Sequence, residues 1–152
     1  MSYQLIHFRK SEEILKKKKM LTDVNQTLEY LDSVLQGAFP YGALLKEGLA
    51  ENGWRSNGNL SILPGRKYQW RGFKQGIAIE GSLAVYEYIL SGLFRLQIGY
   101  AKGKVDAGIL LVNSLRSDKT PYGSTLEMLE AEMEMLEDSI TVPVTVALFD
   151  LV

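Results

Sequence analysis

The chain has 152 residues, a formal net charge of −1, 46% hydrophobic and 23% charged residues, no cysteine, and one histidine, His7. This length is enough to bury a core and predicts one domain over residues 1–152, while the cysteine and histidine counts exclude disulfides, thiolate metal sites and histidine-rich metal sites. No stretch is long and apolar enough to span a bilayer and the N-terminus carries no signal-like apolar run, so no membrane partner is expected and the expected location is the cytoplasm.

Taken in order, residues 1–36 read as helical. Ser11 precedes Glu12, Glu13, Ile14 and Leu15, a helix start with acids in the first turn. Lys16 to Lys19 form a four-lysine run, open to reading as a solvated face or as a phosphate-contacting patch. Val24, Leu28, Leu31, Val34 and Leu35 recur at helical spacing and predict a core stripe. A break follows from Gly37 to Gly42 around Pro40. Leu44, Leu45, Leu49 and Ala50 then form a second amphipathic stretch, ending at Asn52-Gly53-Trp54. Leu60 to Leu63 reads as a strand. Arg66 to Phe73 mixes Arg66, Lys67 and Arg71 with Tyr68, Trp70 and Phe73 on an expected hairpin. That is either a nucleic-acid contact or a strand with its aromatics packed on one face.

Ile77-Ala78-Ile79 is a short apolar run between glycines and predicts a buried strand closed by Glu80. Carboxylates are rarely buried without a partner, so Glu80 is the first candidate for chemistry; the plainer reading is that it surfaces at the strand end. Leu83 to Leu96 is apolar on several faces and predicts a helix buried in the core or in a subunit interface. Val105–Val112 predicts a second buried strand. Ser124 and Glu127 have the form of a capping box opening a helix to Asp138, and Val142–Leu148 predicts the last strand. Strands alternating with helices give an α/β sandwich: a mixed central sheet flanked by helices.

Charge is segregated along the chain. From Asn52 to Ile79 and from Tyr88 to Val105 there is no acid, whereas from Ser124 onward there is no lysine or arginine. A nearly neutral chain with one basic and one acidic face is the expectation.

Gly48–Trp54 (GLAENGW), Arg71–Glu80 (RGFKQGIAIE), Val105–Val112 (VDAGILLV), the Tyr122-Gly123-Ser124 loop and the C-terminal VPVTVAL run occur in this order in the BamHI/BglII/BstYI group of type II restriction endonucleases. The chain resembles a compact member of that group from about Leu44 onward, with a weaker echo at Phe8–Leu15 (FRKSEEIL). The resemblance implies the restriction-endonuclease-like PD-(D/E)XK nuclease fold, duplex DNA as partner, a homodimer, and phosphodiester hydrolysis with Mg²⁺. It places Glu80 on the metal-binding glutamate and Lys74 on a basic position of the motif. It places Ser82 where Lys, Glu or Gln is expected, and Arg71 where the metal-binding aspartate is expected. A guanidinium cannot ligate a cation, so the catalytic motif is degenerate. Glu87, on the following helix, and Glu47 and Glu51, on an earlier one, are the acids that could stand in as metal ligands. Arg71 is expected within side-chain reach of Glu80, and Arg55, Arg66, Lys67 and Lys74 are the expected DNA contacts.

Three functions compete. The first in rank is a DNA-binding relative of these endonucleases that has lost catalysis. The second is an active Mg²⁺-dependent double-stranded DNA endonuclease with a migrated metal ligand. The third is a protein-interaction module without nucleic acid. No small-molecule substrate is evident, and a homodimer through the Leu83–Leu96 helix is expected.

Overall fold

The computed structural model of the chain describes residues 3–56, 60–83, 88–114 and 125–151. Five strands form one mixed sheet in the order β1-β5-β4-β3-β2: β1 (Tyr3–Phe8), β2 (Gly72–Lys74), β3 (Ile77–Glu80), β4 (Ala107–Asn113) and β5 (Val144–Phe149). The central strands β3, β4 and β5 run parallel, with Ile79 opposite Ile109 and Leu110 opposite Val146. The edge strands β1 and β2 run antiparallel to their neighbours. The three expected core strands therefore lie side by side, each within two residues of its expected bounds.

Helices cover both faces. α1 (Ser11–Lys17), α2 (Leu21–Leu35) and α3 (Gly42–Glu51) pack on one face against Ile77, Ile79, Ile109 and Phe149. α4 (Ile89–Ala101) and α5 (Thr125–Met135) pack on the other against Ala78, Leu110, Val144 and Val146. The period-two alternation of each strand divides its side chains between the two layers, which is why the central strands read as continuous apolar runs. A sheet with helices on both faces is the expected α/β sandwich.

Four local expectations differ from the structure. Residues 3–8 are strand, not helix: Tyr3–Phe8 pairs residue for residue with Phe149 to Val144, an edge pairing that the helical pattern beginning at Ser11 obscured. Leu60–Leu63 is not a strand; a single bridge joins Ser61 to Gln69, and Leu60 and Ile62 are buried as loop side chains. The hairpin lies later than expected, at β2–β3, because Gln75 and Gly76 both hold positive φ (50° and 82°), the conformation of a tight two-residue turn. The helix expected over Leu83–Leu96 is α4, beginning at Ile89. Leu83 has φ of 64° and is buried among the α1–α3 layer, and residues 84–87 lie outside the described residues. That helix covers Ala78, not Ile77 and Ile79, which face the other layer.

Polar ties fix the layers. Ser11 Oγ lies 2.7 Å from Thr145 Oγ1, which lies 2.7 Å from His7 Nδ1, joining the start of α1 to β1 and β5. Gln97 Oε1 accepts the N–H groups of Thr141 and Val142, both at 2.8 Å, joining α4 to the approach of β5. Among the described residues no helix is long and apolar enough to cross a membrane.

Gly81, just past β3, has φ of 119°, and a Cβ there would collide with the backbone of Leu111 on β4. Both the dihedral and the contact demand glycine. Gly81→Ala is expected to destabilise the fold by roughly 3 kcal/mol, the sum of backbone strain and a forced shift in packing. Urea unfolding of the variant beside the wild type checks it, and an unchanged midpoint would refute the account.

Candidate functional site

The site grows from the end of β3. Alternation turns Ala78 and Glu80 toward α4, and Gly92 on that helix leaves room for them: a Cβ at Gly92 would lie 3.5 Å from the Cβ of Glu80. The helix therefore lies over the acid, and Glu80 is only 3% exposed. Its Oε2 accepts the N–H of Gly81 at 3.3 Å. Its Oε1 is buried with no hydrogen-bond partner among the described residues. One helical turn beyond Gly92, Arg95 brings Nη1 to 3.8 Å from Oε1, within ion-pair range but too long for a hydrogen bond. Burial pushes the Glu80 carboxyl up to about 7, and the Arg95 guanidinium, the Gly81 N–H and Arg71 oppose that rise only in part.

Two small cavities meet here. The first, about 240 Å³, is lined by Glu80 together with Arg71, Ser82, Tyr88, Ser91 and Arg95. The second, about 270 Å³, shares Arg71 and Arg95 and adds Lys46, Arg55 and Gln69; no acid is among its described lining residues. Arg55 is held in place by donating from Nη1 to the Arg71 carbonyl at 2.7 Å. Arg95 is held through its carbonyl, which accepts Trp70 Nε1–H at 3.1 Å. The two acid-free windows of the sequence thus converge, Arg55 and Arg71 from one and Arg95 from the other, on a single cleft.

The structure brings Glu80, Ser82 and Arg71 together. Arg71 shares the cleft with Glu80, but the ion pair within 4 Å is made by Arg95. Lys74 is engaged elsewhere: its Nζ pairs with Asp23 at 2.9 Å, donates to the Asn52 carbonyl at 2.8 Å and lies 4.8 Å over the Trp54 ring. Arg66 and Lys67 are exposed on the excursion between Ser61 and Gln69, away from both cavities. Glu51, the last residue of α3, accepts a hydrogen bond from Tyr30 and is not among the lining residues of either cavity. Glu87, Tyr122, Gly123 and Ser124 lie outside the described residues. Of the lysine run, Lys18 pairs with Asp106 at 2.7 Å and donates to the Gln75 carbonyl, while Lys16 pairs with Glu12. Trp70 is buried and stacks on Phe73 at 5.5 Å, so these aromatics are core. Sequence reasoning did not single out Arg95 or Lys46. The signal for Arg95 was its place in an acid-free window; Lys46 carried none.

A mixed five-stranded sheet with helices on both faces gives the chain a restriction-endonuclease-like α/β fold. In particular, the chain is similar to the crystal structure of restriction endonuclease BglII complexed with a DNA 16-mer, with TM-score 0.72 and 16% identity over 99% of this chain and 77% of that one. It is also similar to the crystal structure of free BglII, with TM-score 0.62 and 17% identity over 98% and 79%. No protein-family model matches the chain, and no curated protein matches it.

The described residues of the cleft do not by themselves fit a Mg²⁺ ion. Mg²⁺ takes several hard oxygen ligands. The described cleft offers one carboxylate, Glu80, flanked by two guanidinium groups that have no lone pair to give and repel a cation. Among the described residues no three acids or histidines cluster as a metal set.

The buried acid makes stability depend on pH in a definite direction. Its folded-state value, about 7, lies above its ordinary value of 4.5, so between these the folded protein holds the proton more tightly than the unfolded chain. Stability from this group is therefore full below about pH 4.5 and falls as pH rises through about 7. Glu80→Gln is expected to match the wild type at pH 5 and exceed it by roughly 2–3 kcal/mol at pH 8. Chemical unfolding of both proteins at the two pH values checks this. A variant less stable than the wild type at pH 8 would contradict it.

Proposed function

We propose that the chain is a DNA-binding relative of type II restriction endonucleases, catalytically degenerate, that engages duplex DNA as a homodimer. The observation that carries this reading is the cleft at the end of β3, where Arg71 and Arg95 flank Glu80, the one carboxylate among its described lining residues. A hydrolytic site of this kind needs convergent acids to hold a divalent ion and generate hydroxide; a cleft dominated by guanidinium groups suits binding a phosphodiester without cutting it. Lys46 and Arg55 extend the positive surface beside it. BglII, whose fold this chain shares, was crystallised in complex with a DNA 16-mer.

The competing reading is a Mg²⁺-dependent endonuclease completed by an acid from outside the described residues, Glu87 being the candidate. One pair of experiments separates the two. Duplex DNA should be retarded at low salt, with affinity falling steeply as salt rises in proportion to the phosphates contacted. Plasmid incubated with Mg²⁺ or Mn²⁺ should stay intact with the wild type and with Glu80→Ala alike. Cleavage by the wild type that Glu80→Ala abolishes would establish the endonuclease instead, and absence of any retardation would remove the DNA reading.

The dimer rests on Leu90 and Phe94 of α4 and the preceding Tyr88, exposed by 56%, 63% and 57%. Beside them runs an apolar groove of about 670 Å³ bounded by Ile62, Tyr68 and Leu136. Contiguous apolar surface of this kind marks an association site, and a two-fold copy is the commonest cover. Light scattering at micromolar concentration should give twice the chain mass for the wild type and a monomer for Phe94→Glu. A monomeric wild type would sink the dimer and favour a different protein partner for the groove.

A further inference from the structure

We infer that Arg71 and Arg95 form a clamp for one DNA backbone phosphate that works without a divalent cation. This inference rests on the reading of the chain as a duplex-DNA binder and names how that cleft holds its ligand. Four observations carry it.

First, among the described residues Arg71 and Arg95 are the cationic side chains that line both cavities, so they form the shared wall where the two meet. They come from different elements, Arg71 from the approach to β2 and Arg95 from the middle of α4, and so face the cleft from two sides. Secondly, the backbone holds both in place. Arg71 N–H donates to the Ile79 carbonyl at 3.1 Å and its carbonyl accepts from Arg55, while the Arg95 carbonyl accepts from Trp70. The backbone from which each side chain springs is thereby fixed, and planar guanidinium groups match phosphate oxygens two at a time. Thirdly, charge is left over. Glu80 is the only acid among the described lining residues, and its pairing with Arg95 is long at 3.8 Å. Arg71, Arg55 and Lys46 add three more positive charges at the cleft, so its described lining is net positive and favours an anion. Fourthly, the rest of the cleft suits an anion: Gln69 lines the second cavity and Ser91 the first, both able to donate hydrogen bonds.

This arrangement differs in testable ways from a metal-assisted site and from a diffuse basic surface. A metal-assisted site loses affinity in EDTA; a clamp does not. On a diffuse surface each cation contributes separately, whereas two arginines sharing one phosphate act as a unit, so their losses do not add. The carboxylate of Glu80 opposes the ligand here, whereas in a metal site it would be needed.

The experiment measures duplex DNA affinity by fluorescence anisotropy across a salt series. The proteins are the wild type, Arg71→Gln, Arg95→Gln, the double variant and Glu80→Gln, each in EDTA and in Mg²⁺ at matched ionic strength. We expect equal wild-type affinity with and without Mg²⁺. Each single variant should lose most of what the double variant loses, and the double variant's salt dependence should be shallower by about one phosphate. At pH 8, where the Glu80 carboxyl, pushed up to about 7, is largely ionised, Glu80→Gln should bind several-fold tighter. That last arm decides the matter if the arginine variants fail to fold, as judged by circular dichroism, because a damaged protein does not gain affinity. Binding that requires Mg²⁺, a folded double variant with wild-type affinity and salt slope, or a Glu80→Gln protein that binds no better than wild type would each overturn the clamp while leaving DNA binding standing. A wild type that does not bind duplex DNA at all overturns the DNA reading and the clamp with it.

Discussion

The close approach of α4 to the sheet sets the geometry of everything around the cleft. A Cβ at Gly92 would lie 2.7 Å from Leu110 Cδ1, and one at Gly99, two turns on, would lie 2.5 Å from both Trp70 and Val105. A larger residue at Gly92 would force Leu110 to give way, and one at Gly99 would force Trp70 and Val105 apart from the helix. With the helix seated, Leu93 and Leu96 reach the core, Glu80 is shut away from water, and Arg95 is delivered beside it. The same seating lets Trp70 reach the Arg95 carbonyl, which ties the long excursion before β2 to the helix. Interiors pack at crystal-like density, so a helix either sits at this distance or is displaced as a body.

The electrostatic character of the cleft follows from that seating. An acid at the mouth of a strand in open water would titrate near its ordinary value and have no special role. Under α4 the same acid loses its hydration, keeps one weak backbone hydrogen bond and leaves one oxygen with none. Such a group lowers stability at neutral pH, and groups perturbed by burial beside a specific charge, in a cleft, cluster at functional sites. The opposite layer is arranged differently. Trp54 Nε1–H finds Thr27 at 2.9 Å, Lys74 finds Asp23, and Tyr3 finds Asn25 at 3.1 Å, so polar groups there are satisfied and serve the fold. The contrast between the two layers separates scaffold from site.

The Arg71–Glu80 hairpin joins these levels. Its turn at Gln75-Gly76 is held by Lys18, which bridges the Gln75 carbonyl and Asp106 at the entry to β4. The hairpin register places Gly72 opposite Ile79, and hence Arg71 beside the exit of β3, near Glu80. A substitution at position 71 therefore changes the charge of the cleft without disturbing the sheet, and this is how a nuclease-like scaffold can carry a different electrostatic centre.

Much was determined by the sequence alone. Apolar β-branched runs bounded by glycine and proline marked β3, β4 and β5, because strands buried on both faces need no alternation. Helical spacing of Val24, Leu28, Leu31 and Leu35 marked α2, and all four are buried. Glu80 stood out as an acid closing a core strand, and the acid-free windows indicated a basic surface. Other features were decided only by tertiary structure. Tyr3–Phe8 is a strand because β5 offers it a free edge, a non-local pairing that no window of residues contains. Lys74 and Lys18 read as free cations until folding set Asp23 and Asp106 beside them, at sequence separations of 51 and 88 residues. Arg95 sat unmarked in an apolar helix until the glycine seam lowered that helix onto Glu80. Local patterns record which faces of an element avoid water; which charges meet across the core depends on how the elements come together.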